Sequence, residues 1–252
     1  MKKIVFILLL AALSLPSGKM KADDNFSVWS SIGVDKKITD KLDANAEVEY
    51  RTRDSFKASE RWAGYIGAGY RLFPFLKIDA GYTYIYKNTE HRTTNKGNYI
   101  PSFWSSRHRA TVSVKGNVDW GNFNFSLRQG WRYTYRPRKS VAKYDGDNGS
   151  RKDDEIVESK KEHMFFTKPQ IEYDIPNCIV TPYVSCELFY NHSGYDKTRY
   201  TAGAEIKVTK RHVFDVYYRY QDESDDDESR CIGRLPFLAV FRGLFSPVLL
   251  QH

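Results

Sequence analysis

Ser106 and His108 stand two residues apart, with Trp104 two places earlier. In an extended chain such positions share a face, so His108 as base and Ser106 as nucleophile could attack an ester, and at a membrane surface that ester would be a lipid. No third group that would orient the imidazole is recognisable, and interfacial Ser and His more often serve no catalysis. His192 and Ser193 are adjacent, so on a strand they point apart. Asp222, Glu223, Asp225, Asp226, Asp227 and Glu228 could gather a divalent cation or bridge lipopolysaccharide through one, with Asp225, Asp226 and Asp227 the weak metal candidates. Their spacing does not follow a calcium-loop template, and a solvated acidic loop is the simpler reading. No cofactor is expected.

A larger set is purely electrostatic. Arg51, Arg53, Arg61, Arg71, Arg107, Arg109, Arg128, Arg132 and Arg136 fall on the charged parity of their segments, together with Asp43, Glu47, Glu49, Asp79, Glu172, Glu187 and Glu205. If that parity faces an enclosed interior, unpaired charge is costly. A salt-bridged network that plugs or stiffens the interior is then favoured over an anion-selective pore, because long side chains fill a narrow barrel.

Strands must position these groups. Over residues 41–53, Leu42, Ala44, Ala46, Val48 and Tyr50 alternate with charged or amide residues, giving one apolar and one charged face. Further strands of this kind begin at Phe26 and run through Trp62 to Leu72, Leu76 to Tyr86, Ala110 to Val114, Phe123 to Tyr135, Phe165 to Ile175, Val184 to Tyr190, Tyr200 to Val208 and Phe214 to Tyr220. No segment carries a convincing helical period.

Lys2 and Lys3 precede a short apolar run at 4–15, which with the small and polar residues after it reads as a signal peptide over residues 1–22. Exported alternating strands suit a transmembrane β-barrel, whose wet interior cancels the hydropathy average. The net charge of +8 and pI of about 9.2 therefore need not mean nucleic acid, since Lys and Arg are spread along the chain rather than gathered in a stripe. Cys178, Cys186 and Cys231 are an odd set and make no disulfide framework.

Connections near Pro74, 119–121, 176–178 and 209–211 read as tight turns, and those at 88–103, 137–161, 191–196 and 222–229 as long polar loops. Outer-membrane barrels keep short turns in the periplasm and long loops outside. Aromatic residues gather toward both ends, Tyr84, Tyr86, Trp104, Trp131 and Tyr133 toward the loops and Phe73, Phe75, Trp120 and Phe123 toward the turns, as two interfacial girdles would require. Alternation cannot say which face is inside, and a soluble exported barrel would turn its apolar face inward.

The stretches starting at Phe26, Arg61, Lys168 and Arg199, among them KPQIEYDIP and RYTAGAEIKVTKRHVFDVYYRYQDES, resemble an uncharacterised barrel family common in Bacteroidota, domain of unknown function 2490. The resemblance covers 26–229 and implies an outer-membrane barrel, with no activity and no catalytic residues. Beyond it, residues 230–252 are apolar in blocks and broken by Pro236 and Pro247, which suggests a divergent tail or a change of reading frame after about Ser229.

The reading is thus an antiparallel barrel of about ten to twelve strands over 23–229 with an atypical tail at 230–252, structural or passing small solutes. A lipid-modifying enzyme and a soluble binding barrel stand as alternatives. Outer-membrane lipid, lipopolysaccharide and the barrel assembly machinery are the expected partners, and nucleic acid is not. One conflict is visible in advance: if the tight turns share one end, the first strand starts at the loop end, whereas bacterial barrels usually have even strand numbers and both termini on the turn side.

Overall fold

The structure, a computed structural model, describes residues 27–53, 57–209, 212–223 and 235–245. The signal-peptide reading at 1–22 and the candidates Asp225, Asp226 and Asp227 fall outside them.

Every element among the described residues is a strand. β1 (Ser27–Lys37), β2 (Leu42–Arg53), β3 (Ala58–Phe73) and β4 (Leu76–Thr89) are followed by the short β5 (Arg92–Thr93) and β6 (Tyr99–Ile100). Next come β7 (Phe103–Trp120), β8 (Phe123–Arg136), β9 (Lys139–Tyr144), β10 (Arg151–Val157) and β11 (Lys160–Tyr173). β12 (Val180–Asn191), β13 (Gly194–Lys207), β14 (His212–Glu223) and β15 (Leu235–Phe245) follow. Eleven strands close a barrel in the order β1-β15-β14-β13-β12-β11-β8-β7-β4-β3-β2.

Local chemistry explains the tight hairpins. Trp120 and Phe123 pair across Gly121 and Asn122, and Gly121 has φ of 60°. Only glycine takes that angle at little cost, and in first place it matches the twist of the flanking strands. Residues 191–196, expected as a long loop, form a two-residue turn instead, with Asn191 pairing Gly194. The Asn191 side chain accepts the Ser193 amide at 2.8 Å, so these polar residues tie the hairpin rather than loosen it.

The other long connections differ in a second way. β5 and β6 from one, and β9 and β10 from the next, assemble a separate four-stranded sheet in the order β10-β9-β6-β5. Tyr99 pairs Tyr144 across the two connections. Nothing periodic announces these strands, because β5 and β6 are two residues each and one residue pair joins the two connections.

Strand parity resolves through an unusual seam. β15 pairs antiparallel with β14 and parallel with β1. With an odd number of strands, β1 starts at the loop end and β15 finishes at the turn end, so the two neighbours must run the same way. The first turn keeps its expected place, and the closing strand comes from the apolar tail.

The face question is answered by exposure. Ile66 is 62% exposed, Val118 65% and Trp120 75%, while the charged parity points into the barrel and is mostly buried or half-buried. Outward rows run unbroken, as from Ala46 through Ile66, Tyr82 and Ala110 to Tyr133. An inward apolar core, which a soluble barrel would need, is not what the described residues build.

Candidate interior site: an arginine and aromatic belt

Inward positions in the loop-end half converge on a layer of guanidiniums and rings. Arg51 of β2 lies 3.2 Å from the ring centre of Trp29 on β1, and Arg219 of β14 stands 5.0 Å from the same ring. Arg199 of β13 lies 4.8 Å from Phe189 on β12, and Arg132 of β8 lies 4.4 Å from Phe166 on β11 and 5.0 Å from Phe189. Such contacts strengthen when water is excluded. Phe166 and Phe189 are 3% and 0% exposed.

Two carboxylates cross-link the layer. Glu49 accepts Arg51 through Nε at 2.7 Å and Nη2 at 2.8 Å, and also accepts Arg61 of β3. Glu187 of β12 takes Arg132 at 3.1 Å and Arg199 at 3.7 Å. Forked guanidinium-carboxylate pairing is the strong form of this contact. Arg109 of β7 donates to the Thr134 hydroxyl at 3.2 Å, and Arg219 to that of Thr201 at 3.0 Å. The largest through-space influences on Arg109 come from Arg132, Arg61, Arg199 and Arg51, all of its own sign.

Space for the rings comes from glycine. A Cβ on Gly130 would lie 2.6 Å from Phe166 Cζ and 2.6 Å from the Val112 carbonyl oxygen, so Phe166 lies flat across the gap that a side chain would fill.

The remaining predicted interior charges sort by depth. Arg53 reaches Glu90 at 3.2 Å near the loop rim, and Arg107 keeps a buried Nε without a hydrogen-bond partner. Toward the turns, Lys77 pairs with Asp43 at 2.8 Å and Asp79 at 3.0 Å, and Arg128 approaches Asp79 at 3.8 Å. Glu172 accepts Gln170 at 2.7 Å, while Glu47 stands in register between Gly33 and Tyr65 and Glu205 between Thr181 and Asp215. Arg71 sits exposed at the turn rim, its amide bonded to the Lys41 carbonyl.

Sequence reasoning left Trp29, Phe166, Phe189, Arg199 and Arg219 off the list of interior candidates. A signal existed for the rings: each is an aromatic on the polar parity of its strand.

Ser106 and His108 do share the outer face of β7, but no hydrogen bond joins them among the described residues. His108 Nδ1 instead shares a 2.7 Å bond with the Tyr82 hydroxyl, and the imidazole sits among the rings of Tyr84 and Tyr135 at 5.6 and 6.4 Å. It is part of an aromatic surface that continues through Tyr86 stacked on Trp104. His192 and Ser193 occupy a turn rather than a strand, so they are not splayed apart and meet at 3.3 Å, both exposed.

Residues 26–231 match the family described as Protein of unknown function (DUF2490). The chain belongs to this family. No curated protein matches it in sequence. Among solved structures, it is similar to the β domain of the Bordetella autotransporter BrkA, with TM-score 0.50 and 14% identity over 73% of this chain and 76% of that one. It is also similar to the NanC porin, with TM-score 0.42 and 12% identity over 78% of this chain and 87% of that one. At such identities the family member shares a fold with the autotransporter domain, and the belt must be judged on its own residues.

Proposed function

We propose that the protein is a bacterial outer-membrane β-barrel with its tight turns in the periplasm and its accessory sheet outside the cell. In this reading the loop-half belt narrows the interior, so the barrel serves as a structural element or passes only small solutes. The observation that carries the reading is the direction of the two faces: an apolar surface points outward around the described sheet while charge is held within. In hydrocarbon every backbone polar group needs a partner inside the protein, which a closed sheet supplies. Rings at both ends support it, with Trp120, Phe123 and Phe73 outward at the turns and Tyr84, Tyr86 and Tyr190 outward toward the loops, where amphipathic rings suit headgroups. The fold shared with an autotransporter β domain points the same way. Lipid and lipopolysaccharide would be its surroundings and the barrel assembly machinery its route there.

Spin labels test this directly. Labels replacing Val48 and Val112 should be quenched by lipid-soluble oxygen, and labels replacing Glu47 and Thr111 by a water-soluble nickel complex. The opposite pattern would reverse the face assignment and end the proposal. In planar bilayers, the purified protein should show conductance well below that of a wide, water-filled porin.

A further inference from the structure

We infer that the belt binds a small oxyanion, a carboxylate or phosphate group that enters from the loop end; this rests on the barrel reading above. The belt carries Arg51, Arg61, Arg109, Arg132, Arg199 and Arg219 against the carboxylates Glu49 and Glu187. Each of those carboxylates is already shared by two guanidiniums, which leaves Arg109 and Arg219 with neutral hydroxyl partners. Among the described residues neither makes an ion pair.

Charge of one sign held in a confined interior is expensive, and most basic groups can relieve it by giving up a proton. Guanidinium does not do so in proteins. A bound counter-ion is the remaining relief, and an anion with two or three oxygens fits the fork of N–H donors better than a spherical halide does. Stacking on Trp29, Phe166 and Phe189 occupies guanidinium faces, so the N–H edges remain for oxygen acceptors. Arg107 adds a second observation. It lies two residues nearer the loop end than Arg109 on the same face of β7, and its Nε is a buried donor with nothing to give to.

The turn-end half offers no equal attraction. Asp43 and Asp79 already hold Lys77 there, and Glu47, Glu172 and Glu205 face the same space. An anion would therefore be drawn inward from the loops and held short of the turns.

Calorimetric titration of the full-length processed protein in detergent at low ionic strength, with inorganic phosphate in one arm and acetate in the other, tests the inference. Saturable binding is expected in at least one arm, and the tighter arm tells whether a phosphoryl or a carboxylate group is preferred. Arg109→Gln should weaken it about tenfold or more, the scale of one charged hydrogen bond, and Arg109→Lys, which keeps the charge but not the fork, should weaken it by less. Lys115→Gln, which removes an inward cation in the turn half, should leave it within about threefold, less than the loss of one such bond. If Arg109→Gln does not refold, Arg219→Gln carries the same expectation. Absence of saturable binding in both arms, or equal losses in Arg109→Gln and Lys115→Gln, overturns the inference. Spin-label accessibility is read without phosphate or acetate, so a failed site is distinguishable from a failed barrel.

Discussion

The two halves of the barrel interior are built from the same strands and the same alternation, yet they solve the problem of enclosed charge differently. Near the turns, Lys77, Asp43, Asp79 and Arg128 form a chain of pairs with side chains 18–43% exposed. Near the loops, arginines share Glu49 and Glu187 with side chains 11–21% exposed and lean on Trp29, Phe166 and Phe189. Wet pairs cost little to make and contribute little. Drier ones need exact partners, because a charge left alone there is not rescued by solvent. The difference teaches that lumen charge alone says little about role; the choice of arginine over lysine, and rings on the polar parity, separate an ordinary wet wall from a built layer.

Removing one carboxylate from each half would break or confirm this contrast. Glu187→Ala strands Arg132 and Arg199 together, and should destabilise the barrel by about 3–5 kcal/mol. Asp79→Ala removes one partner from partly solvated cations and should cost about 1 kcal/mol or less. Urea unfolding in lipid vesicles, followed by tryptophan fluorescence, measures both. Equal losses would mean that the halves do not differ in solvation.

Packing gives the next largest effect. Gly130→Val puts a branched side chain against the Phe166 ring and the Val112 carbonyl, and overpacking of this kind costs about 1–3 kcal/mol. Gly64→Val, on the outward face of β3 with nothing within 4 Å of its Cβ position, should be close to neutral in the same assay. If the belt were loosely filled, the two substitutions would behave alike.

How much of this is legible in the sequence follows from where the period survives. Residues 41–53 alternate without a break, and 42–53 do form one strand, β2, in a barrel whose strand number lies within the expected range. Parity also sends Arg51 and Glu49 inward together. It does not say that they touch, nor that Arg61, a residue of the next strand, joins them, because that depends on register and on the bulge between Arg51 and Thr52. Trp29, Phe166 and Phe189 pass unnoticed for a related reason: each neighbours an apolar residue of the outward parity, Val28, Phe165 or Leu188, so the polar parity looks merely blurred. The accessory sheet is hidden more deeply. Its strands are short, and Ile100 and Val141 are the buried apolar residues they contribute among the described residues, so they impose no period, and polar composition reads as loop. The two-residue turn at 192–193 is misread by the same habit.

Arginine identity can be sharpened by a gentler change. Arg51→Lys keeps the charge beside Glu49 but loses the forked pair and much of the stacking on Trp29, for an expected cost of about 1–2 kcal/mol. Lys77→Arg in the turn half should change stability by less than about 0.5 kcal/mol, since a partly exposed pair is only exchanged for another. A lysine that serves as well at position 51 would show that charge, not shape, is what the loop half selects.

The smallest effect lies beyond the barrel, in the sheet that extends the loop half. Asp145 accepts the Lys152 ammonium and the amides of Asp147 and Asn148, and these hydrogen bonds, that from Lys152 foremost, hold its carboxyl below the ordinary aspartate value. Asp154 is lowered in the same way by the Ser140 hydroxyl and then by Arg151. A carboxyl lowered by folding binds fewer protons folded than unfolded, so its contribution is complete above the ordinary range near pH 4 and fades as the pH falls through the lowered value. Asp154 is exposed and Asp145 half-buried beside a solvated Lys152, so screening keeps the contribution modest. Amide exchange, corrected for its intrinsic pH dependence, should therefore show β9 and β10 losing protection below about pH 4 while the barrel amides of β7 and β8 keep theirs. Asp145→Asn should remove most of that pH dependence from the β9–β10 hairpin. Protection that falls together in the sheet and in the barrel would instead mean that the two unfold as one unit, and that the loop half owes part of its dryness to the sheet above it.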